Sequence, residues 1–190
     1  MNLEEYKEWL EKNGNKEEKE AYRVVEKILD WHLKYRTSFK HIKVYPRFRY
    51  KGIEFDLLIL LSNKDVEIDE LNKDDLLIYR IIAVEFKETD VRKVISQAIT
   101  RKEYVHYTYI ATRDIPLEYD QIFMLALFGI GWVIWEEGFA KLILPAKYYE
   151  TGDWKLKEMI DTLLNQKFKE VVDEVFKERW ELWLKKRRKY

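Results

Sequence analysis

The apolar positions of this chain change period several times, and each change marks an element. Leu3, Tyr6, Trp9 and Leu10 recur at helical spacing over residues 3–12, and Asn13-Gly14-Asn15 ends that helix. A longer helix is expected from about Lys16 to Tyr35, with Ala21, Val24, Val25, Ile28, Leu29 and His32 turned inward. Residues 42–50 read as a strand through Ile42, Val44, Tyr45 and Phe48, with Pro46 marking a bend or an edge. A turn at Lys51-Gly52 leads into an apolar strand from Ile53 to Leu61, and the polar stretch Ser62–Asp75 reads as a loop. Leu76 to Lys87 is nearly continuous in apolar residues, as a central strand should be. A helix follows from about Asp90 to Tyr104, then a short strand from Tyr107 to Ala111 and a helix over 117–128. Gly131–Glu136 and Leu142–Pro145 complete the strands. From Asp153 onward an apolar stripe runs from Leu156 to Trp183 at helical spacing.

The order α-β-β-β-α-β-α-β-β-α predicts an α/β or α+β domain, a mixed central sheet with helices on both faces. Residues 1–150 form the expected core domain. Residues 151–190 form a long amphipathic helix that packs on the core or on a second subunit, so a homodimer is one expectation.

Composition narrows the chemistry. A chain of 190 residues with 47% hydrophobic content suits one domain with an appended helix. The absence of cysteine excludes disulfides, zinc–thiolate sites and iron–sulfur clusters. No basic-then-apolar signal pattern follows Met1, so a cytoplasmic protein is expected. The longest apolar stretch, Ile122 to Trp135, is too short to span a bilayer and reads as core, so no membrane partner is expected. Charged residues make up 37% of the chain, against about a quarter in ordinary domains, a profile that resembles hyperthermophile proteins.

The 35 basic and 35 acidic residues cancel overall but not locally. No acid occurs from Trp31 to Lys51, where Lys34, Arg36, Lys40, Lys43, Arg47 and Arg49 alternate with Trp31, Tyr35, Phe39, Tyr45, Phe48 and Tyr50. The tail Lys185-Lys186-Arg187-Arg188-Lys189 is basic as well. Such a segment suits phosphate contact and base stacking, so DNA is the expected partner. The competing expectation is a solvated face that balances the acids of the Ser62–Asp75 loop.

One constellation carries chemistry. Glu85 and Lys87 share a strand face, since strand side chains alternate. A buried strand does not place two charges on one face unless they pair or hold a metal. Asp56, near the start of the preceding strand, becomes a neighbour of Glu85 if the two strands pair antiparallel. Two carboxylates at that range repel unless a cation lies between them. An oxygen donor set selects Mg²⁺ or Mn²⁺, and the Phe86 carbonyl can supply a further ligand. Lys87 can orient or help deprotonate a water, or neutralise charge developing on a phosphate. A salt-bridged pair on a solvated strand end is the bland alternative.

These residues resemble the PD-(D/E)xK nuclease superfamily, the restriction-endonuclease-like fold. Gly52-Ile53-Glu54-Phe55-Asp56-Leu57-Leu58-Ile59 looks like its Asp motif and Val84-Glu85-Phe86-Lys87 like its Glu-x-Lys motif. Gln97-Ala98 on the following helix looks like the Gln motif of many members, with Arg101 and Tyr104 further along. Archaeal Holliday-junction resolvases and the Mrr-like branch have the nearest patterns, and the resemblance spans about residues 16–145. The Pro that gives the superfamily its name is absent before Asp56. The resemblance implies a Mg²⁺- or Mn²⁺-dependent DNA endonuclease. It implies Asp56, Glu85 and the Phe86 carbonyl at the metal, Lys87 at the attacking water, and Gln97 at Lys87 or the DNA backbone. It also implies an acid on the first core helix. Glu18 fits best, with Ala21, Val24 and Val25 following at the family's spacing, while Glu17 and Glu20 are alternatives. Glu54 is either an extra carboxylate or a salt-bridge partner. A module that binds nucleic acid without cutting it fits the same residues less well.

Overall fold

The computed structural model describes residues 1–34, 39–65 and 78–152, and residues 158, 159, 162, 166, 169, 173 and 177 beyond them. The chain divides into two units, Met1–Thr151 and Gly152–Tyr190. In the second unit the residues described from 158 onward are helical, and Thr162 Oγ1 donates to the Glu158 carbonyl at 2.8 Å, one turn back. Most of the expected long C-terminal helix, and the basic tail with it, lies outside the described residues.

The first unit is an α/β domain built on one six-stranded mixed sheet. Its helices are α1 (Leu3–Asn13), α2 (Ala21–Leu33), α3 (Val91–Arg101) and α4 (Tyr119–Phe128). Its strands are β1 (His41–Tyr50), β2 (Ile53–Ser62), β3 (Tyr79–Lys87), β4 (Tyr107–Arg113), β5 (Gly131–Glu136) and β6 (Phe139–Leu144). The strands lie in chain order. β1, β2 and β3 pair antiparallel, β3, β4 and β5 pair parallel, and β6 returns antiparallel on β5. Parallel neighbours need crossovers, which α3 and α4 supply.

Alternation along the strands sorts the core into two layers. Leu57, Ile59, Ile82, Val84 and Tyr109 pack with Val24, Val25, Ile28 and Leu29 of α2. On the other side Ile110 packs with Val94, Ile95 and Ala98 of α3 and Leu125 of α4. Parity places Asp56, Glu85 and Lys87 on the α3 side of the sheet, opposite Leu57, Val84 and Phe86.

Three local departures from the expected elements matter for the site. The helix expected from Lys16 to Tyr35 is broken into a 3₁₀ turn, Lys16–Glu18, and α2. Asn15 caps that turn: its Oδ1 accepts from the Glu17 and Glu18 amides, and Glu18 Oε2 accepts from the Asn15 amide at 3.0 Å. This reciprocal bonding closes the turn on itself instead of continuing it as a helix. Pro46 lies on the edge strand β1, one of the two expectations for it, and the bend itself falls one residue later, where Arg47 has φ 50°, an uncommon value for a residue with a side chain. The helix expected to reach Tyr104 ends at Arg101, and residues Lys102–Tyr104 tighten into a second 3₁₀ turn. Among the described residues, no helix is long and apolar enough to cross a membrane.

Candidate functional site

The antiparallel ladder between β2 and β3 runs from Ser62↔Tyr79 to Leu57↔Val84. Beyond it a side chain takes over: the Phe86 amide donates to Asp56 Oδ2 at 2.8 Å. That bond pins the Asp56 carboxylate beside the end of β3 and uses only one of its oxygens. Glu85, on the same face, is completely buried. Parallel pairing with β4, Glu85↔Ile110 and Lys87↔Thr112, holds this end of β3 in the sheet.

Burial controls the electrostatics. It pushes the Glu85 carboxyl up to about 8, and the Asp56 charge pushes the same way, while the Arg101 guanidinium pulls it down. Asp56 is also raised by burial, against the Phe86 amide and the charges of Lys87 and Arg101. The two carboxyls are coupled, and the charge of Asp56 opposes ionisation of Glu85.

Arg101 of α3 stands beside Glu85, with Nε 2.8 Å from Oε1. Its N–H groups aim elsewhere: Nε and Nη2 both donate to the Glu54 carbonyl, at 3.2 and 2.6 Å. The Asp56 amide and the Arg101 guanidinium both approach Glu85 and favour its charged form, but neither does so with good hydrogen-bond geometry, so its two buried oxygens have a counter-charge and no well-directed bond among the described residues. A carboxylate buried in that state is costly, and either a proton or a cation relieves the cost.

Lys87 is held by an acid 70 positions away in the chain. Its Nζ lies 2.8 and 2.6 Å from the two carboxylate oxygens of Glu17. Glu18, the acid expected here from sequence, is engaged differently: it completes the turn at Asn15 and binds Arg47 Nη2 at 2.7 Å. Its charge still reaches Asp56, which it pushes upward. Glu20 turns away from the site, to the Gly138 amide and to Arg23. Glu54 is a salt-bridge partner of Arg49, at 2.6 Å. The described hydrogen bonds of Lys87 go to Glu17 and not to Gln97. Gln97 Oε1 is buried without a partner among the described residues, and the Gln97 carbonyl accepts from Arg101 Nη1 at 3.2 Å.

The structure therefore brings Asp56, Glu85 and Lys87 together and adds Arg101, to which sequence reasoning assigned no role, and Glu17, which it offered only as an alternative to Glu18. Arg101 had a signal, since it lies four residues after Gln97 and so shares its helix face. Glu17 had one too: Asn15-x-x-Glu18 spells a capping box, which reserves Glu18 for its own backbone.

Among the described residues, no cluster of three or more His, Asp or Glu side chains is placed to hold a metal ion. The donors at hand are two carboxylates and the Phe86 carbonyl. That set fits a hard ion such as Mg²⁺, which keeps several of its waters and often takes only one or two protein carboxylates. The orphaned oxygens of Glu85 fit the same ion.

The basic, aromatic segment is mostly committed inside the protein. Phe39, Phe48 and Tyr50 are buried in the core, and His32 is buried against the Tyr109 hydroxyl at 3.0 Å. Arg47 and Arg49 bind Glu18 and Glu54, and Lys43 lies 3.5 Å from Asp65. Trp31 remains exposed, and Tyr35 and Arg36 lie outside the described residues. The described part of the segment supplies sheet and core rather than a row of free stacking rings.

In comparisons with known proteins, no family model and no curated protein matches this chain. A protein of unknown function from Silicibacter pomeroyi is similar in structure, with a TM-score of 0.47 and 12% identity over 77% of this chain and 85% of that chain. A likeness of that extent carries no argument about fold family or activity.

Proposed function

We propose that this chain is a divalent-metal-dependent DNA endonuclease of the PD-(D/E)xK type, with a restriction-endonuclease-like fold. One observation carries the reading: Glu85 is completely buried, directly beside Asp56 and two residues before Lys87 on the same strand face, with only the Asp56 amide and Arg101 near its oxygens and neither in good hydrogen-bond geometry. The sheet agrees with it, since a strand bearing the Asp, a strand bearing Glu-x-Lys, a helix and a parallel strand follow in that order.

Asp56, Glu85 and the Phe86 carbonyl would hold the ion, which supplies a Lewis acid for the phosphate and an acidified water. The chain's own residues prepare the rest. The Phe86 amide fixes the Asp56 carboxylate. Arg101 offsets the charge of Glu85. Lys87 presents its ammonium where negative charge grows on the phosphate as water adds to phosphorus and the bond to the leaving oxygen breaks. Substrate preference follows from surfaces outside this site, so duplex, branched and single-stranded DNA are all candidates.

Nicking of plasmid and of branched DNA with Mg²⁺ or Mn²⁺ tests the reading. Asp56→Ala and Lys87→Ala are expected to reduce the rate by about a hundredfold or more, the scale seen when one electrostatic stabiliser is removed. Metal-dependent cleavage retained by both variants removes the assignment.

A second reading has its own observation. Two charges at the site have internal partners, Lys87 with Glu17 and Glu85 with Arg101, and the Phe86 amide holds the third, Asp56. That self-sufficiency favours a module on the same fold that binds nucleic acid without cutting it. Salt-dependent DNA binding with no metal-stimulated cleavage distinguishes it from the nuclease.

A further inference from the structure

We infer that Glu17 is the positioning residue for Lys87, and that the 3₁₀ turn Lys16–Glu18 is a charge-keyed clamp on the end of β3. The inference rests on the nuclease reading of the site and names a residue that the sequence pattern did not choose.

Two neighbouring ion pairs of opposite polarity join the turn to β3. Lys16 Nζ lies 3.0 Å from Glu88 Oε2, and Glu17 holds Lys87 through both carboxylate oxygens, at 2.8 and 2.6 Å. Arg113 of β4 fixes Glu88 from another side, at 2.9 Å. The order Lys-Glu on the turn meets Lys-Glu on the strand in crossed fashion. Sliding the turn so that Lys16 faced Lys87 and Glu17 faced Glu88 would set like charges together at both places. The clamp thus has one register. The bonds between Asn15 and Glu18 preserve the shape of the turn and keep Glu18 out of competition for Lys87.

The consequence for Lys87 is geometric. A lysine stem has four rotatable bonds and loses much rotamer freedom when ordered, so an unsupported ammonium samples many positions. Glu17 confines it. An ammonium carries three donors, and Glu17 offers two acceptor oxygens, so at least one N–H remains for a phosphate oxygen. Burial fits this division: the Lys87 side chain is 19% exposed and that of Glu17 36%, so the clamp lies at the rim of the site. Glu17 acts through Lys87 and has no direct part in the chemistry.

The test combines cleavage kinetics with unfolding for wild type, Glu17→Gln, Glu17→Asp, Lys87→Gln and the double variant Glu17→Gln with Lys87→Gln. Glu17→Gln is expected to lower kcat about tenfold or more with KM within about twofold, the pattern of an interaction that matters in the transition state. Glu17→Asp keeps the charge and recovers part of the loss. In unfolding, the double variant is expected to lose less than the sum of the singles, since both remove one pair. A folded Glu17→Gln protein with full kcat, a change confined to KM, or additive losses overturns the inference. Glu17→Asp provides the same comparison if Glu17→Gln does not fold. A wild type that never cleaves overturns the nuclease reading itself, and the positioning role falls with it. Active wild type with active Glu17→Gln overturns the inference alone.

Discussion

Two buried titratable groups, one at each end of β3, are treated in opposite ways. Glu85 sits at the C-terminal end, and its neutralising proton or cation is not supplied by any hydrogen bond within the described protein. His106, just before β4, lies beside the N-terminal end. Its Nδ1 accepts from the Ile81 amide at 3.0 Å, its own backbone amide donates to the Ile81 carbonyl, and its ring stacks on Tyr148. Burial drives both toward the neutral form: Glu85 up to about 8, and His106 down to about 4 with the Arg80 charge helping. Only the histidine has a bond that the neutral form completes. Burial alone therefore does not mark a functional group. A buried titratable group whose bonding is unfinished is the better candidate, and Glu85 meets that description where His106 does not.

The largest expected effect falls on Glu85. Its folded value lies above its unfolded value of 4.5, so its stabilising contribution is full below that pH and is lost as pH rises through about 8. Metal-free protein is expected to lose at most about 5 kcal/mol from this group between those limits, the full value of a shift of that size. Denaturant unfolding in a chelator at pH 5 and pH 9 measures it, and Glu85→Gln should flatten the difference. If the difference persists in Glu85→Gln, the contrast with His106 is broken. Added Mg²⁺ or Mn²⁺ should restore stability at pH 9 in the wild type and not in Glu85→Gln.

Arg101 comes next. Arg101→Met leaves Glu85 buried with no counter-charge from α3, which costs about 3 kcal/mol for a broken buried pair. The loss should be large at pH 8 and small at pH 5, where Glu85 carries a proton. A loss equal at the two pH values would show that Arg101 matters only through its bonds to the Glu54 and Gln97 carbonyls.

The smallest effect belongs to the settled end. His106 has a folded value below its unfolded value of 6.5, so its contribution is present above that pH and is lost as pH falls through about 4. At most about 3 kcal/mol is expected from a shift of that size. His106→Asn retains a side-chain acceptor but does not titrate, so this part of the acid-side slope should disappear while cleavage is unchanged. A variant that lost metal-dependent cleavage would give the two ends a common role and sharpen the comparison in the other direction.

Much of the fold was legible because it depends on near neighbours. The switch between helical and alternating periods located all six strands of the sheet to within a few residues. Alternation also put Glu85 and Lys87 on one face, and Asp56 near the start of the preceding strand made it their candidate companion. The helix break after Glu18 was legible in principle as well, since the Asn15–Glu18 box is a local pattern. The role of the basic, aromatic run was not legible from local pattern. Its aromatic residues at Phe39, Phe48 and Tyr50 served the core, and its arginines found acids elsewhere in the chain.

Sequence alone thus determined which residue types could form a site and on which strand faces they lie, because backbone periodicity is a property of adjacent residues. Only the tertiary structure decided which charges meet. The Phe86 amide reaches Asp56 across 30 positions, Arg101 reaches the Glu54 carbonyl across 47, and Lys87 reaches Glu17 across 70. No local rule chooses Glu17 over Glu20, or Arg101 over the many other cations, as a partner at that range. Packing chooses them, because it brings the Lys16–Glu18 turn to Lys87 and the last turn of α3 to Glu85 at one end of β3, where burial makes an unpartnered charge too costly to leave alone.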